Sequence, residues 1–509
     1  MDIKKRGNED KWLYLAVMLL GLFFLFKLYN SSQIINQFPL DQNNDLSSYM
    51  GQLHFLGQYG FHQNVPNWYN GFTSFLLYPP GWFFFTLPIY LISGNILLAT
   101  YISNILIYLI GFLSIFLLKK FSKFSWAETI FLYLFVFVNP IAVGNFIKLG
   151  RLPEMLSLSL FVMLFAFFLY YRDKKISGVF LLLSALYASV LLSHPAFFII
   201  SSFFIPPLFL IKKGRQRAII VIMFFIALLL SSFWLIPFIA SSKNTTLTQE
   251  RGYTGLSRLL DFRKEFFFDN LFSFILPVVF LACFYFYCKS LKKEEKKKEL
   301  IFYSIPIAFS ILFFSRIAAF IPVINHPYPD SYNLFLIFIS VFLFVKTPRD
   351  SFGRLNPLIK FILVVLPFLL IVPSLIFVSN FRQNNNFDKE IISILPEVGG
   401  RYLIAGMPYP TSAEAVGSYS AIYYNLSTPS GWYPQAASKS LLDKIAELRK
   451  EIENSNPNCI KINSLLSELR VDELILQKQQ CELIQNCGLK EKIAKERICL
   501  LARQITKSL

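Results

Sequence analysis

The sequence predicts a polytopic α-helical membrane protein that carries a small soluble α/β domain at its C-terminal end. Of its 509 residues, 55% are hydrophobic and 17% are aromatic, and the mean hydropathy is +0.50. Soluble globular proteins have an apolar share of roughly 45–50%. The formal net charge is +18, but the lysines and arginines fall in short clusters between apolar stretches, as in the cytoplasmic loops of membrane proteins. This pattern argues against nucleic acid as a partner.

Apolar stretches long enough to cross a bilayer recur along the chain. A helix of about 20 apolar residues spans the hydrocarbon core, which predicts about eleven crossings. The first stretch follows three basic residues, as a signal peptide does, but no small-residue cleavage site comes after it, so we interpret it as a retained span. The predicted spans are 12–29, 96–118, 127–146, 155–171, 176–192, 197–211, 218–239, 271–287, 300–321, 334–345 and 358–378.

Segment 72–92 is also apolar, and whether it crosses the membrane decides the side of every later loop. If it lies in the interface or re-enters, five basic clusters share the side of the basic N-terminus, as the positive-inside rule requires. Pro79, Pro80 and Pro88 also suit a broken interfacial helix better than a straight span. The sequence therefore predicts a cytoplasmic N-terminus and no crossing at 72–92. The clusters are Lys119/Lys120/Lys123, Arg172/Lys174/Lys175, Lys212/Lys213/Arg215/Arg217, 289–298 and Lys346/Arg349/Arg354.

This topology places four polar segments outside the cell, at 30–71, 147–154, 241–270 and 325–333. From about residue 379 onward the composition becomes that of a soluble protein. We therefore predict a transmembrane module over residues 1–379 and an extracytoplasmic domain over residues 380–509.

The soluble part has the patterns of a mixed α/β domain. The stretches "GRYLIAG" and "VDELILQ" have the composition of buried strands, and apolar residues recur at helical spacing over 441–452. An even number of cysteines in an external domain permits disulfides, and the sequence leaves their pairing open. The four are Cys459, Cys481, Cys487 and Cys499.

The motifs of most soluble enzyme classes are missing from the sequence. It contains no glycine-rich nucleotide-binding loop and no zinc-ligand spacing, and with 4 histidines it predicts no His/Cys metal cluster. Dependence on a divalent metal is left open. The chemistry is therefore sought among the polar groups of the predicted external segments.

Two acids in these segments are candidates for chemistry. Asp45 begins a stretch with apolar residues at helical spacing, where a carboxylate serves as a helix cap in the simplest interpretation. Glu154 stands where the next external segment enters the membrane, beside Lys148 and Arg151, and an interfacial ion pair is its simplest interpretation. The alternative for both is catalysis, because a positioned carboxylate can take the proton of a hydroxyl or amide acceptor.

Short motifs in the N-terminal half carry a resemblance to a known family. They are an acid-led external helix after the first span, the stretch "PNWYNGFTSFLLYPPGWFFFTLPIYLISGN", and "GRLPE", "LLSHP" and "FWLIPF". In this pattern the chain resembles the GT-C superfamily of membrane glycosyltransferases, and within it the group labelled 6-pyruvoyl-tetrahydropterin synthase-related membrane proteins. The resemblance implies a GT-C fold with interfacial helices in the first external segment. It also implies transfer of a sugar from a polyprenyl-phosphate donor to a glycan, lipid or protein acceptor at the outer face of the cell membrane.

The resemblance also assigns roles to residues of this sequence. Asp45 matches the catalytic acid of the first external segment, which we expect to be the general base, and Glu154 matches the acid of the second. His194 stands where relatives often have a lysine near the lipid phosphate. The sequence departs from the related group where a histidine often follows the first acid, because Tyr49 stands there and His54 comes later.

A polyprenyl-phosphate leaving group gains negative charge as it departs, so hydrogen-bond donors are expected around it. Arg316 is the strongest candidate, because a guanidinium near the end of a span costs free energy unless it snorkels or finds an anion. The candidate phosphate ligands are Arg316, His194, Arg151 and Arg251. Aromatic rings can stack on a sugar, although an interfacial aromatic belt explains most of them. The substrate-binding candidates are Asp41, His54, Trp68, Tyr69, Tyr78 and Trp82.

Other functions remain open at this point. A flippase or transporter of lipid-linked glycans places ionisable groups near the membrane midplane, whereas the predicted spans are nearly free of charge. A non-catalytic membrane scaffold would tolerate the loss of Asp45 and Glu154. An O-antigen-type polymerase is a third, enzymatic alternative.

Overall fold

The computed structural model describes residues 3–40, 45–242, 255–263, 267–348, 386–407, 413–432 and 436–504. A helical bundle comprises the described residues up to 348, and a smaller domain with a four-stranded sheet comprises those from 386. The predicted domain boundary at residue 379 and the predicted span 358–378 lie outside the described residues.

The bundle consists of long apolar helices joined by short connections and shorter helices. A short antiparallel hairpin lies between the second and third helices, and each of its strands has two residues: β1 (Asn64–Val65) and β2 (Phe72–Thr73). The helices are α1 (Ile3–Ser31), α2 (Leu46–Gln58), α3 (Gly81–Ser93), α4 (Ile96–Ser122), α5 (Trp126–Val138), α6 (Pro140–Ala142), α7 (Leu152–Asp173), α8 (Leu183–Ser193), α9 (Pro195–Ser202), α10 (Ile205–Ile211), α11 (Arg215–Ser242), α12 (Leu256–Leu259), α13 (Phe267–Lys289), α14 (Lys293–Phe302), α15 (Ser304–Phe314) and α16 (Pro329–Lys346).

Six helices of the described part are long and apolar enough to cross a bilayer, and the number of crossings is up to seven if α5 and the bent segment Pro140–Lys148 after it count as one. The predicted count of about eleven is therefore not confirmed. Three predicted spans are divided into shorter segments: 176–192, 197–211 and 300–321. At the second of these, Pro195 and Pro206 stand in the first turns of α9 and α10, where the missing N–H of proline costs no intrahelical hydrogen bond.

The predicted span 127–146 is bent by 46° at Asn139. The Asn139 side-chain oxygen accepts hydrogen bonds from the amides of Ile141 and Ala142, both at 3.0 Å. Its side-chain nitrogen donates to the carbonyls of Phe135 at 3.1 Å and Val136 at 2.8 Å. The Asn139 side chain thus pairs with backbone carbonyls at the end of α5 and with backbone amides at the start of α6, inside an apolar bundle. The bend turns the chain toward the loop that precedes α7.

Helix α3 is too short to cross a membrane. Its 13 residues extend for about 20 Å at 1.5 Å per residue, whereas the hydrocarbon core is about 30 Å thick. At its start, a Cβ on Gly81 would lie 2.7 Å from the backbone carbon of Leu192, so only glycine permits this approach to the end of α8. The length favours the prediction that segment 72–92 does not cross.

Helix α7 lies in the centre of the bundle and is buried along most of its length. Its serines fix it to neighbouring helices: the amide carbonyl of Ser159 accepts from Ser114 Oγ at 2.9 Å, and Ser157 Oγ donates to the carbonyl of Val190 at 2.9 Å. Such interhelical hydrogen bonds stabilise packing where no hydrophobic effect operates. Helix α7 is thus joined by hydrogen bonds to α4 and to α8.

A network of charged groups lies at the other end of α7. Arg172 Nη1 is 2.6 Å from Glu299 Oε2, Lys346 Nζ is 3.6 Å from Glu299 Oε1, and Lys212 Nζ donates to the Arg172 carbonyl at 3.1 Å. Four of the predicted cytoplasmic segments thus meet at one end of the bundle, and the C-terminal domain lies at the opposite end. This separation agrees with the charge-based topology, while the orientation in the membrane stays a prediction.

The C-terminal domain has a four-stranded sheet in the order β3-β4-β6-β5, with β3 parallel to β4 and the other pairs antiparallel. Both predicted strands and the predicted helix over 441–452 are confirmed. The strands are β3 (Tyr402–Ala405), β4 (Glu473–Gln477), β5 (Leu489–Ala494) and β6 (Ile498–Arg503). The helices are α17 (Asn386–Ile394), α18 (Ala413–Tyr424), α19 (Lys439–Ile452), α20 (Cys459–Glu468) and α21 (Lys478–Ile484).

The four cysteines of this domain form two disulfides, Cys459–Cys487 and Cys481–Cys499. The pairing that the sequence left open is thereby defined. Disulfides persist in oxidising compartments, which agrees with the predicted external position of the domain.

The loop after α2 attaches the bundle to the C-terminal domain. Trp68 is completely buried, and its indole donates a hydrogen bond to the carbonyl of Gly417 at 3.3 Å. A Cβ on either Gly51 of α2 or Gly431 of the domain would lie 2.9 Å from the Trp68 ring. The two glycines allow the ring to pack between the bundle and the domain. The domain residue Trp432 follows Gly431 and reaches Asp45.

Candidate active site

Asp45 lies where the bundle meets the C-terminal domain. Its amide donates to the carbonyl of Leu149 at 2.8 Å, which ties the start of α2 to the loop before α7. Asp45 is the N-cap residue of α2, and its carbonyl accepts from the amide of Tyr49 at 3.1 Å, but its side chain forms no capping hydrogen bond. The carboxylate instead accepts hydrogen bonds from Arg151 Nε at 3.3 Å and from the Trp432 side chain.

Arg151, the residue before α7, is surrounded by carboxylates. Its Nη1 lies 2.7 Å from Asp330 Oδ2 and 3.8 Å from Glu154 Oε2, while its Nε faces Asp45. The guanidinium also lies 4.7 Å above the ring of Tyr328. A planar guanidinium with donors on several edges suits this arrangement. Three acids from distant parts of the sequence thus share one cation.

The two inner acids, Glu154 and Asp330, are held by hydrogen bonds. Ser331 Oγ donates to Glu154 Oε1 at 2.5 Å, and Asn145 Nδ2 lies 3.4 Å from Glu154 Oε2. The amide of Ser331 donates to Asp330 Oδ1 at 2.8 Å. Glu154 stands in the first turn of α7 and Asp330 in the first turn of α16, where helix N-termini favour carboxylates. These two acids therefore position Arg151.

The three carboxylates differ in their access to solvent. The exposed fraction of the side chain is 35% for Asp45, 2% for Glu154 and 8% for Asp330. Beside Asp45, the hydroxyls of Tyr49 and Tyr78 are 3.0 Å apart. Asp45 is therefore the member of the cluster that a water-borne molecule can reach.

The surroundings of Asp45 change its affinity for protons. Burial raises the pKa of the Asp45 carboxyl above its ordinary value, while the charge of Arg151 and the hydrogen bonds from Trp432 and Arg151 act in the opposite direction. Burial is the largest of these effects, so the pKa of Asp45 lies above the ordinary value of an aspartate.

His194 lies between α8 and α9, close to the cluster. Burial, together with the charge of Arg151, lowers the pKa of His194 to about 4, so its imidazole is neutral at pH 7. Its Nδ1 is buried and has no hydrogen-bond partner among the described residues. A neutral imidazole supplies a hydrogen bond to a ligand rather than a charge.

Arg316 does not contact the carboxylate cluster. Its Nη1 donates to Ser273 Oγ at 2.7 Å, its Nη2 donates to the carbonyl of Asn270 at 3.3 Å, and its guanidinium lies 3.5 Å above the ring of Phe274. The residue is only 6% exposed, so it does not snorkel. Within the described ranges it forms no ion pair, which leaves a buried positive charge without a carboxylate.

Contacts connect Arg316 to the cluster through Arg258. Asn270 Nδ2 donates to the carbonyl of Arg258 at 2.7 Å, and the Arg258 guanidinium lies 5.1 Å from the Tyr328 ring, which Arg151 also contacts. Arg151, Arg258 and Arg316 thus follow one another along the same end of the bundle.

The structure does not bring the other candidates together. His54 Nδ1 lies 3.3 Å from the hydroxyl of Tyr90 on α3 and does not reach the cluster. Trp68, Tyr69 and Trp82 are 0%, 4% and 0% exposed, so their packing gives no support to a role in sugar stacking. Tyr78, in contrast, reaches the site through Tyr49. Asp41 and Arg251 lie outside the described residues.

Sequence reasoning missed three residues of the site. Asp330 follows Pro329 in the first turn of an apolar helix, as Glu154 follows Pro153, so the same signal was present. Arg258 and Trp432 have no local signal, because their positions depend on the packing of distant segments.

The described residues contain no group of three or more His, Cys, Asp or Glu side chains arranged to hold a metal ion. The three carboxylates of the site converge on the guanidinium of Arg151. The positive charge at the centre of the cluster is thus supplied by the chain itself.

Comparisons with known proteins identify the fold. No family model and no curated protein matches the sequence. Among solved structures, the arabinofuranosyltransferase AftD from Mycobacteria matches with a TM-score of 0.58 and 12% identity, over 97% of this chain and 40% of that chain. The oligosaccharyltransferase from Archaeoglobus fulgidus in its apo form matches with a TM-score of 0.56 and 11% identity, over 94% of this chain and 70% of that chain. AglB from the same organism, in complex with an inhibitory peptide and a dolichol-phosphate, matches with a TM-score of 0.54 over 92% of this chain.

The chain therefore has the fold of the GT-C membrane glycosyltransferases, as the sequence predicts. At 11–12% identity this likeness concerns the fold, and the chain spans about two fifths of the length of AftD. The closeness to the 6-pyruvoyl-tetrahydropterin synthase-related group stays a prediction.

Proposed function

We propose that the protein is a glycosyltransferase that moves a sugar from a polyprenyl-phosphate donor to an acceptor at the outer face of the cell membrane, with Asp45 as the general base. The observation that carries this proposal is the position of Asp45. It is the solvent-accessible carboxylate of a buried cluster, held by Arg151 and Trp432, at the junction of an apolar bundle and a soluble domain. A reaction between a membrane-bound donor and a water-borne acceptor requires such a junction.

The reaction breaks the bond between the anomeric carbon and the phosphate oxygen of the donor and forms a bond from that carbon to the acceptor. The acceptor hydroxyl or amide loses its proton to the Asp45 carboxylate as the new bond forms. The electron pair of the broken bond remains on the leaving polyprenyl phosphate. Arg151 keeps Asp45 in place, and Glu154 and Asp330 keep Arg151 in place.

The negative charge on the leaving phosphate requires donors on the other side of the sugar. Arg316 carries a buried charge without a carboxylate partner among the described residues, and Arg258 lies between it and the cluster. His194 contributes a neutral hydrogen bond. The AglB structure contains a dolichol-phosphate, and a lipid phosphate of the same chemical class is our inference for this chain.

The position outside the cytoplasm is supported by two observations. The C-terminal domain contains two disulfides, and the basic segments gather at the end of the bundle opposite Asp45. Under the positive-inside rule, Asp45 and the domain then face the exterior.

Substitution of Trp432 by phenylalanine tests the general base through the pH dependence of transfer. The base is active when ionised, so the rate falls as the pH falls through its pKa. The Trp432 hydrogen bond lowers the pKa of Asp45, and phenylalanine keeps a ring but removes the N–H donor. We expect the acid limb of the pH–rate profile to move to higher pH, with little change in the rate at high pH.

The matched control is Trp126→Phe, because Trp126 is an exposed indole at the end of the bundle that holds the basic segments. Its profile should match that of the unmodified protein. An unchanged acid limb in Trp432→Phe would contradict the assignment of Asp45 as the base.

Substitution of Arg316 by glutamine tests the phosphate site. Loss of a charge-assisted hydrogen bond to phosphate weakens binding by about tenfold or more. We expect the affinity for polyprenyl phosphate in detergent micelles to fall by that factor in Arg316→Gln. The affinity should fall less in Arg316→Lys, which keeps the positive charge but loses the planar pair of N–H donors of the guanidinium. The fluorescence of the chain's tryptophans can follow the titration.

Arg217→Gln is the control, since Arg217 also donates to backbone carbonyls but lies at the opposite end of the bundle. Equal affinities in Arg316→Gln and the unmodified protein would exclude Arg316 from the phosphate site.

A further inference from the structure

A cavity lies in the C-terminal domain, and Asp45 does not line it. It has a volume of about 410 Å³ and is lined by Gly400, Arg401, Asn425, Arg470 and Asp472, among others. Pockets for small molecules measure about 300–1,000 Å³. The cavity is therefore large enough for a single sugar unit.

The cavity carries an excess of positive charge. Neither Arg401 nor Arg470 forms an ion pair with a carboxylate of the described residues, and Arg401 Nε is buried without a hydrogen-bond partner there. Burial and the charge of Arg470 lower the pKa of Arg401, which reflects repulsion between the two cations. Asp472, the acid of the cavity, accepts a hydrogen bond from the Arg401 amide at 2.9 Å. Two arginines and one aspartate thus line the cavity.

The backbone at Arg470 is strained. Its φ is +54°, a left-handed conformation that follows the end of α20, where the amide of Val471 donates to the carbonyl of Leu466 at 2.9 Å. Glycine is the usual residue at this position after a helix, because a Cβ disfavours the left-handed region. A glycine at this position would therefore relieve the backbone, which makes Arg470→Gly a suitable variant for removing the side chain.

The cavity is connected to the helix that begins at Asp45. Asn67 Nδ2 donates to Asn425 Oδ1 at 3.1 Å, and the Tyr59 hydroxyl donates to Asn67 Oδ1 at 2.8 Å. Tyr59 follows the last residue of α2, so its distance from Asp45 is about 20 Å at 1.5 Å per residue. An acceptor chain of several sugar units can cover that distance.

We propose that this cavity binds an acidic unit of a glycan acceptor, that is, a sugar that carries a carboxylate or a phosphate. The planar forks of Arg401 and Arg470 suit the oxygens of such a group, and the Asp472 carboxylate and Asn425 amide suit sugar hydroxyls. The proposal rests on the proposed function, because it assumes that the acceptor is a glycan.

Direct titration of the purified full chain tests the site without any transfer reaction. The probes are glucuronate and glucose 6-phosphate, with glucose and inorganic phosphate as controls, followed by calorimetry. We expect at least one acidic sugar to bind about tenfold or more tightly than either control, since a charged pair contributes about that factor. The tighter of the two identifies a carboxylate or a phosphate as the recognised group. Equal binding of glucose, or of inorganic phosphate alone, would overturn the proposal.

Arg470→Gly is the decisive variant, because it removes the guanidinium and relieves the backbone at the same time. We expect it to bind the acidic sugar about tenfold or more weakly, with a thermal midpoint equal to or above that of the unmodified protein. Arg401→Gln should weaken binding similarly, whereas Arg503→Gln, which alters another arginine of the same domain, should not. Unchanged affinity for the acidic sugar in both Arg470→Gly and Arg401→Gln would show that this cavity is not its binding site.

The outcome is separable from that of the proposed function. Asp45→Asn should keep full affinity for the acidic sugar, because Asp45 does not line the cavity. Binding that persists in a protein without transfer activity would refute the transferase proposal alone. Absence of binding in a protein that transfers sugars would refute the cavity proposal alone.

Discussion

Replacing Asp45 by asparagine is expected to lower the rate of sugar transfer by about a hundredfold or more, the usual contribution of a general base. Asparagine keeps the shape of the side chain and an oxygen that accepts from Arg151, but it cannot take a proton at neutral pH. The measurement is transfer from a radiolabelled polyprenyl-phosphate sugar by the purified protein. The thermal midpoint should change little, because Asp45 is the most accessible of the three acids and Arg151 keeps the two others.

Two variants make this result specific. Asp443→Asn alters an exposed acid on α19 in the C-terminal domain and should retain full activity. Glu154→Gln should reduce the rate less than Asp45→Asn, because Glu154 is buried and acts by holding Arg151. Turnover that is unchanged in Asp45→Asn would exclude Asp45 as the base, and a larger loss in Glu154→Gln would transfer that role to Glu154.

Much of the fold follows from local sequence patterns. The strands "GRYLIAG" and "VDELILQ" and the helix over 441–452 carry their own periodicity, and the structure contains all three. The number of membrane crossings does not follow in the same way. Hydropathy counts apolar residues, whereas prolines such as Pro195 and Pro206 divide an apolar stretch into helices too short to cross. Composition alone cannot distinguish one long helix from two short ones.

Residues of the site could be predicted from the sequence only where they stand at a recognisable local position. Asp45 and Glu154 stand at the starts of helices in polar segments, and both reach the cluster. The sequence predicts Arg151 to be a phosphate ligand, but in the structure it pairs with three carboxylates, one of which, Asp330, lies 179 residues further along the chain. Trp432 reaches Asp45 through the docking of the C-terminal domain. Contacts of this kind depend on tertiary packing, so the spacing of apolar residues along the sequence does not predict them.

Replacing Arg151 by glutamine is expected to lower the rate of transfer to the same degree as Asp45→Asn and, unlike that variant, to destabilise the fold. Without the guanidinium, the buried carboxylates of Glu154 and Asp330 have lost their shared cation, and breaking a buried pair costs about 3–5 kcal/mol. Thermal unfolding in detergent, measured beside the transfer rate, separates the two effects. Arg151→Lys should also fail, because one ammonium cannot face three carboxylates with the geometry of a guanidinium.

The triple variant Arg151→Gln, Glu154→Gln and Asp330→Asn distinguishes a structural from a catalytic need for the cation. Neutralising both buried acids removes the unpaired charges, so stability should return close to that of the unmodified protein. Activity should not return, because Asp45 would still lack the guanidinium that orients it and moderates its pKa. Recovery of both stability and transfer would show that Arg151 serves only to neutralise the acids. A single Arg151→Gln variant as stable as the unmodified protein would show that the cluster does not depend on its central cation.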